Sequence, residues 1–383
     1  MSVINYSLNN VQTAYSKLGP YDFRTIHIAG TNGKGSVCTF LELLYLNVVP
    51  DLKVGKYTSP HIWSVTERFS VNGKDISQEE FEKFGSGLEL EGSGLTEFEK
   101  LTLIGFEYFK QEQVDIVILE TGLGGRFDAT NVIPVENRIA SAITNVAMDH
   151  MDYLGNSIEE IRREKEGICR SGICHFEGSG LGAHGSGANP NDVRGSNFLL
   201  ALEIFESINK LIVSDETKQE VLKQFPQRHR ARFEYNDGVL IDVAHNPAAM
   251  KKLNHFIQKD LPSFERKIFV LAFLDKDYQA CLDELLTQEI FDADRDLVIL
   301  TEIDSSRATP AFVLDEIIDA NKMMILNPQE AIATAKGLKT SNDLVIITGS
   351  IRLVEACKAG TTSEHSERIR PDLGFAEDLD YLY

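Results

Sequence analysis

The sequence predicts an α/β fold in which mostly parallel sheets, covered by helices on both faces, are divided between two domains. Near-continuous apolar runs recur at 114–119, 140–144, 239–243, 267–271, 297–300 and 344–348. Strands of that kind belong to sheets buried on both sides. Helical periods lie between them, for example at 98–110 and 157–166, so strand and helix alternate as parallel connections require. A length of 383 residues exceeds what one hydrophobic core ordinarily serves, so two domains are expected. The polar segment 225–230 is the expected linker between a first domain at 1–224 and a second at 231–359, with a loosely held tail at 360–383.

The first strand is Thr25-Ile26-His27-Ile28-Ala29, and apolar residues at helical spacing across 37–44 mark the helix that follows. Between them stands Gly30-Thr31-Asn32-Gly33-Lys34-Gly35-Ser36. Glycines let such a loop curl until its N–H groups converge on an anion, and the next helix adds its positive end. Lys34 is placed to reach β/γ-phosphates, and the Ser36 hydroxyl to ligate magnesium. The loop departs from the strict G-x-x-x-x-G-K-[ST] form, so taken alone it could also be a glycine-rich turn with a solvated lysine.

A later strand ends on Glu120, followed by the glycine-rich run Thr121-Gly122-Leu123-Gly124-Gly125-Arg126-Phe127-Asp128. A carboxylate at the carboxyl end of a strand in an α/β sheet is a natural magnesium ligand. Asp149-His150-Met151-Asp152 follows the next strand, where a histidine flanked by acids suits a metal site. Arg163-Glu164-Lys165-Glu166 reads by itself as a solvated, charge-paired helix end. In Asp242-Val243-Ala244-His245-Asn246-Pro247, Asn246 caps a helix that Pro247 starts, which leaves Asp242 and His245 to face a ligand.

The formal net charge is −20, a field that repels nucleic-acid backbones and anionic lipid. Neither a nucleic-acid nor a membrane partner is expected, and no apolar run reaches the ~18 residues of a membrane span. Five cysteines without a C-x-x-C pair fit a reducing cytoplasm better than a disulfide framework or structural zinc. No basic segment with an apolar run behind it marks a signal peptide at the start. Gly-Ser-Gly recurs at 85–87, 92–94, 178–180 and 185–187; this is the composition of flexible linkers, and suggests replaced loops.

Taken in order, these segments resemble the folylpolyglutamate synthase/dihydrofolate synthase family of bacterial type, a branch of the Mur ligases. The matching pieces are the loop 30–36, Tyr57-Thr58-Ser59-Pro60-His61, Glu67-Arg68-Phe69, Thr96-Glu97-Phe98-Glu99, 120–131, 149–155, Glu164-Lys165 before Gly167, 242–247 and Asp275-Lys276-Asp277. The resemblance implies an N-terminal P-loop ATP-binding domain and a C-terminal Rossmann-like ligase domain. It implies an ATP-dependent ligase that adds L-glutamate to dihydropteroate, to folates or to both through an acyl phosphate. Thr31, Asn32, Gly33, Lys34, Gly35, Ser36, Arg232, Asp242 and His245 would bind ATP. Ser36, Ser59, Glu120, His150 and Lys165 would hold two magnesium ions, with Lys165 carrying a carbamate derived from CO2. Lys34, Lys165 and His150 would be catalytic, and Phe98 and Asp128 would contact the pterin. A cytoplasmic monomer is expected. Position 166 is glutamate where the family usually has alanine, and the family's Pro-Gly-Arg is here Arg230-Ala231-Arg232. A Mur-type ligase for another carboxylate, or a nucleotide-binding relative with edited loops and impaired catalysis, are the alternatives.

Overall fold

The computed structural model of the chain describes residues 7–88, 90, 93–178, 193–274 and 278–357. The Asp275-Lys276-Asp277 motif, the tail from 360 and the last Gly-Ser-Gly triplet lie outside them. Contacts divide the chain into two compact units, with the break between His229 and Arg230.

In the first unit the strands are β1 (Arg24–Ala29), β2 (Val54–Tyr57), β3 (Phe69–Val71), β4 (Lys74–Asp75), β5 (Ile116–Glu120), β6 (Arg138–Ile143) and β7 (Cys174–Glu177). Among the described residues they form one sheet in the order β4-β3-β2-β5-β1-β6-β7. β1 pairs in parallel with both β5 and β6, whereas β3 and β4 form an antiparallel edge. One sheet face packs on helices Asn9–Leu18 and Glu97–Gln111 through Tyr21, Phe23, Phe106 and Phe109. The other packs on helices Lys34–Val48, Val193–Asn209 and Asp215–Arg228 through Phe40, Tyr45, Phe205 and Phe225. Apolar side chains on both faces are what the uninterrupted strand runs require.

The second unit contains β8 (Glu234–Asn236), β9 (Val239–Ile241), β10 (Arg266–Leu271), β11 (Leu297–Leu300), β12 (Asn321–Met324) and β13 (Asp343–Thr348). Their order among the described residues is β12-β11-β10-β13-β9-β8, parallel except for β8. Helices Pro247–Lys259 and Tyr278–Leu285 cover one face, and Pro328–Leu338 the other. The expected strand at 239–243 stops at Ile241 because the Asp242 carboxylate accepts the N–H groups of Phe233 and Ala244, both at 2.8 Å, and turns the chain.

The break falls inside the segment expected as the linker, most of which is helical. Residues 225–228 of the expected linker are the end of helix Asp215–Arg228. Phe225 is buried there and stacked on Phe40 with ring centroids 3.9 Å apart; this aromatic anchor outweighs the helix-breaking tendency of Pro226 in the last turn. The first Gly-Ser-Gly triplet is likewise not a loop. It ends helix Gln78–Gly87, which Ser77 and Glu80 start with a capping box.

Candidate active site

The glycine-rich loop 30–36 leaves β1 at Gly30, whose φ of +151° suits only glycine. A Cβ there would lie 1.9 Å from Thr144 Oγ1. The loop is clamped to the chain leaving β6. Thr31 N–H donates to the Asn145 carbonyl at 2.8 Å, and Asn32 N–H to Asn145 Oδ1 at 2.7 Å. Thr144 Oγ1 donates to the Asn32 carbonyl at 2.7 Å, and Ala147 N–H to Thr31 Oγ1 at 3.0 Å. Gly33 is left-handed at φ +88° and caps helix Lys34–Val48, so the helix's first N–H groups remain for an anion.

Two lysines share one carbonyl. Lys34 Nζ donates to Gly30 O at 3.2 Å and Lys165 Nζ donates to it at 2.9 Å. Lys165 is buried. Burial, and then the charge of Lys34, hold its amine down at about 7, against the opposing pull of Asp149 and Asp128. The turn that carries it is fixed by close packing. A Cβ on Gly167 would lie 2.4 Å from Arg126 Cβ, and one on Gly125 would lie 2.7 Å from the Lys165 carbonyl. Glu166 is exposed and 3.8 Å from Arg162, so this departure from the family's alanine faces solvent.

Glu120 ends β5 with its carboxylate buried. Ser59 N–H donates to its Oε2 at 3.0 Å, and a Cβ on Gly35 would lie 3.4 Å from that oxygen. Ser59, Glu120 and the loop before Ser36 are therefore brought together. Among the described residues no group of three or more His, Cys, Asp or Glu side chains forms a metal cage. The donors present are a carboxylate and hydroxyls beside the N-terminus of helix Lys34–Val48. That set fits Mg2+, which binds through one or two carboxylates, waters and substrate phosphates. His150 caps helix Met151–Leu154 at φ +50°, with Nε2 3.8 Å from Asp149 Oδ1.

Phe98 and Asp128 flank the glycine-rich loop after β5. A Cβ on Gly122 would strike the Phe98 ring at 2.5 Å. Asp128 Oδ2 accepts the Leu123 N–H at 2.8 Å, while Oδ1 accepts the Thr130 N–H at 3.0 Å and its hydroxyl. Burial raises the Asp128 carboxyl, and these hydrogen bonds oppose the rise. Beneath it His27 Nε2 meets Thr130 Oγ1 at 2.8 Å. In the second unit Asp242 is also raised by burial, with Arg232 pulling the other way. His245 Nδ1 is 2.9 Å from the Val243 carbonyl.

Sequence reasoning missed His229, whose ring contacts Ser36 and Thr39, together with the clamp made by Thr144 and Asn145. Val221, Phe225 and His229 stand four residues apart, and that helical spacing is the signal that reaches His229.

A glycine-rich loop at the end of a mostly parallel sheet, followed by a second α/β unit, is an arrangement this chain shares with a class of ATP-dependent acid–amino-acid ligases. The family described as Mur ligase, glutamate ligase domain, matches residues 229–351. Dihydrofolate synthase/folylpolyglutamate synthase of Bacillus subtilis is 31% identical, over 86% of this chain and 89% of its own. Dihydrofolate synthetase of Saccharomyces cerevisiae is 43% identical over a shorter stretch, 39% of this chain and 36% of that one. The solved structure of E. coli FolC in complex with DHPP and ADP aligns with a TM-score of 0.79 at 28% identity, covering 93% of each chain. The chain belongs to the folylpolyglutamate synthase/dihydrofolate synthase family.

Proposed function

We propose that this chain joins L-glutamate to the carboxylate of dihydropteroate, of a tetrahydrofolate, or of both, using ATP. The observation that carries the reading is the pair of lysines on the Gly30 carbonyl, beside the buried Glu120 carboxylate. Two relatives support it. E. coli FolC has been solved with DHPP and ADP, and a bifunctional folylpolyglutamate synthase/dihydrofolate synthase with Mn, AMPPNP and L-glutamate bound.

A carboxylate does not accept an amine directly, because oxide would have to leave. In the proposed reaction an oxygen of the acceptor carboxylate attacks the γ-phosphorus of ATP. The bond to the β,γ-bridging oxygen breaks, and ADP departs. The glutamate amine then attacks the acyl carbon and loses a proton, and inorganic phosphate leaves with the electrons of the acyl C–O bond. Lys34 and the N–H groups that open helix Lys34–Val48 hold the phosphates and offset their charge. Ser36, Ser59, Glu120 and His150 are proposed to hold two magnesium ions, whose chemistry when bound is to neutralise charge on the transferring group. The Lys165 amine, brought down to about 7 and so present in part as the free base near neutrality, is proposed to add to the carbon of CO2 and lose a proton. That turns a cation into a carboxylate able to join the metal site. Phe98 and Asp128 would hold the pterin, and Arg232, Asp242 and His245 would serve the nucleotide. A cytoplasmic monomer is proposed; all five thiols are free, as a reducing compartment would keep them. Among the described residues no helix is long and apolar enough to cross a membrane.

The test is ADP release with Mg2+, bicarbonate and L-glutamate, comparing dihydropteroate and tetrahydrofolate side by side. Release that depends on either acceptor is the expected result. No acceptor-dependent release with both would overturn the proposal.

A further inference from the structure

A contact that the proposed reaction leaves unused lies behind the phosphate loop. His229 Nε2 is 3.0 Å from Ser36 Oγ, and its Nδ1 is 3.3 Å from Thr39 Oγ1. One ring thus engages two hydroxyls about a turn apart on helix Lys34–Val48. The ring is tilted against Phe225 at 5.1 Å, and Phe225 is itself stacked on Phe40. A Cβ on Gly35 would lie 3.2 Å from His229 Cε1 and 3.4 Å from Glu120 Oε2. The imidazole and the buried carboxylate therefore border the same piece of loop backbone.

A hydroxyl binds a cation through the lone pairs of its oxygen, which leaves its proton to be given to an acceptor. We propose that His229 is that acceptor, a positioning residue that aims Ser36 at the metal of the nucleotide. Its neutral ring carries the proton on Nδ1 and donates it to Thr39 Oγ1, so Nε2 is left to accept from Ser36 Oγ. With Thr39 Oγ1 accepting from Nδ1, the Phe225 contact holds the ring plane and the Ser36 lone pairs are turned outward. The inference rests on the reading of Ser36 as a metal-binding hydroxyl.

The test reads binding without turnover, on the full chain. A fluorescent ADP is titrated across a Mg2+ series, and Mn2+ occupancy is followed by electron paramagnetic resonance. His229→Phe keeps a ring against Phe225 and removes both nitrogens. The expected result is about a tenfold rise in the metal concentration that half-saturates ADP binding, the lower end of what loss of a ligand's outer partner costs. The melting temperature should stay near that of the parent. His229→Gln, which can offer Ser36 an oxygen, should recover part of the loss. Ser36→Ala should show a rise of similar size, and adding His229→Phe to it should change nothing further, because the two act as one unit. Parent-like metal dependence in both His229 variants overturns the inference, and so does an effect that multiplies that of Ser36→Ala. If Ser36→Ala leaves the metal dependence untouched, the reading of Ser36 fails and the inference goes with it.

Discussion

Lys165 shows how burial turns an ordinary side chain into a chemical group. Its surroundings strip water from the ammonium and set Lys34 against it, which brings the amine to about 7 from an ordinary 10.5. Between those two values the unfolded chain holds a proton that the folded chain does not, so stability rises with pH across that window. Below pH 7 both states are protonated and the cost of burying the charge is fully felt, at about 1.4 kcal/mol for every tenfold loss of proton affinity. In CO2-free buffer, Lys165→Met should therefore melt above the parent at pH 6–7, and the gap should close as pH approaches 10. Thermal melts across that range check the sign. The same substitution should lower acceptor-dependent turnover by about a hundredfold or more, as loss of an electrostatic group in the site does, while ADP binding by fluorescence titration is kept. Parent-like turnover would remove Lys165 from the chemistry.

At the scale of elements, helix Asp215–Arg228 carries more than a connection. A flexible linker would tolerate Phe225→Ala; a side chain stacked on Phe40 in the core should not. Truncation should cost about 3–5 kcal/mol in urea unfolding, as a Phe-to-Ala change in a core does, and loss of the ring's support should weaken His229's hold on Ser36. The phosphate loop and the Glu120 loop were legible in the sequence, because glycines with special backbone geometry and an acid at a strand end announce themselves locally. β2 was not, since four residues that include Gly55 and Lys56 look unlike a strand. Lys56 sits there because Glu42 accepts from it at 2.7 Å inside the core. β12, Asn321–Met324, is an exposed edge that opens on Asn321 and Lys322, so it lacks the continuous apolar stretch of a strand buried on both faces. His229 was hidden for a different reason. Its partners Ser36 and Thr39 lie some 190 residues away, and polar neighbours with a proline disguised the helix that delivers it.

For the molecule as a whole, each unit has its own sheet and its own core, as 383 residues require. Residues 230–357 expressed alone should give a cooperative urea transition and an α/β circular dichroism spectrum. A non-cooperative profile would mean that the second unit depends on the first for its stability. In the first unit β1, β5 and β6 run the same way, and they finish at the phosphate loop, Glu120 and the Thr144–Asn145 clamp. Their starting ends gather on the opposite rim, where Arg24 is open to solvent. A strand of six residues spans about 20 Å, so a dye or surface tether attached at that rim sits a strand's length from the proposed site, and gives single-molecule work a handle that leaves the loop end untouched.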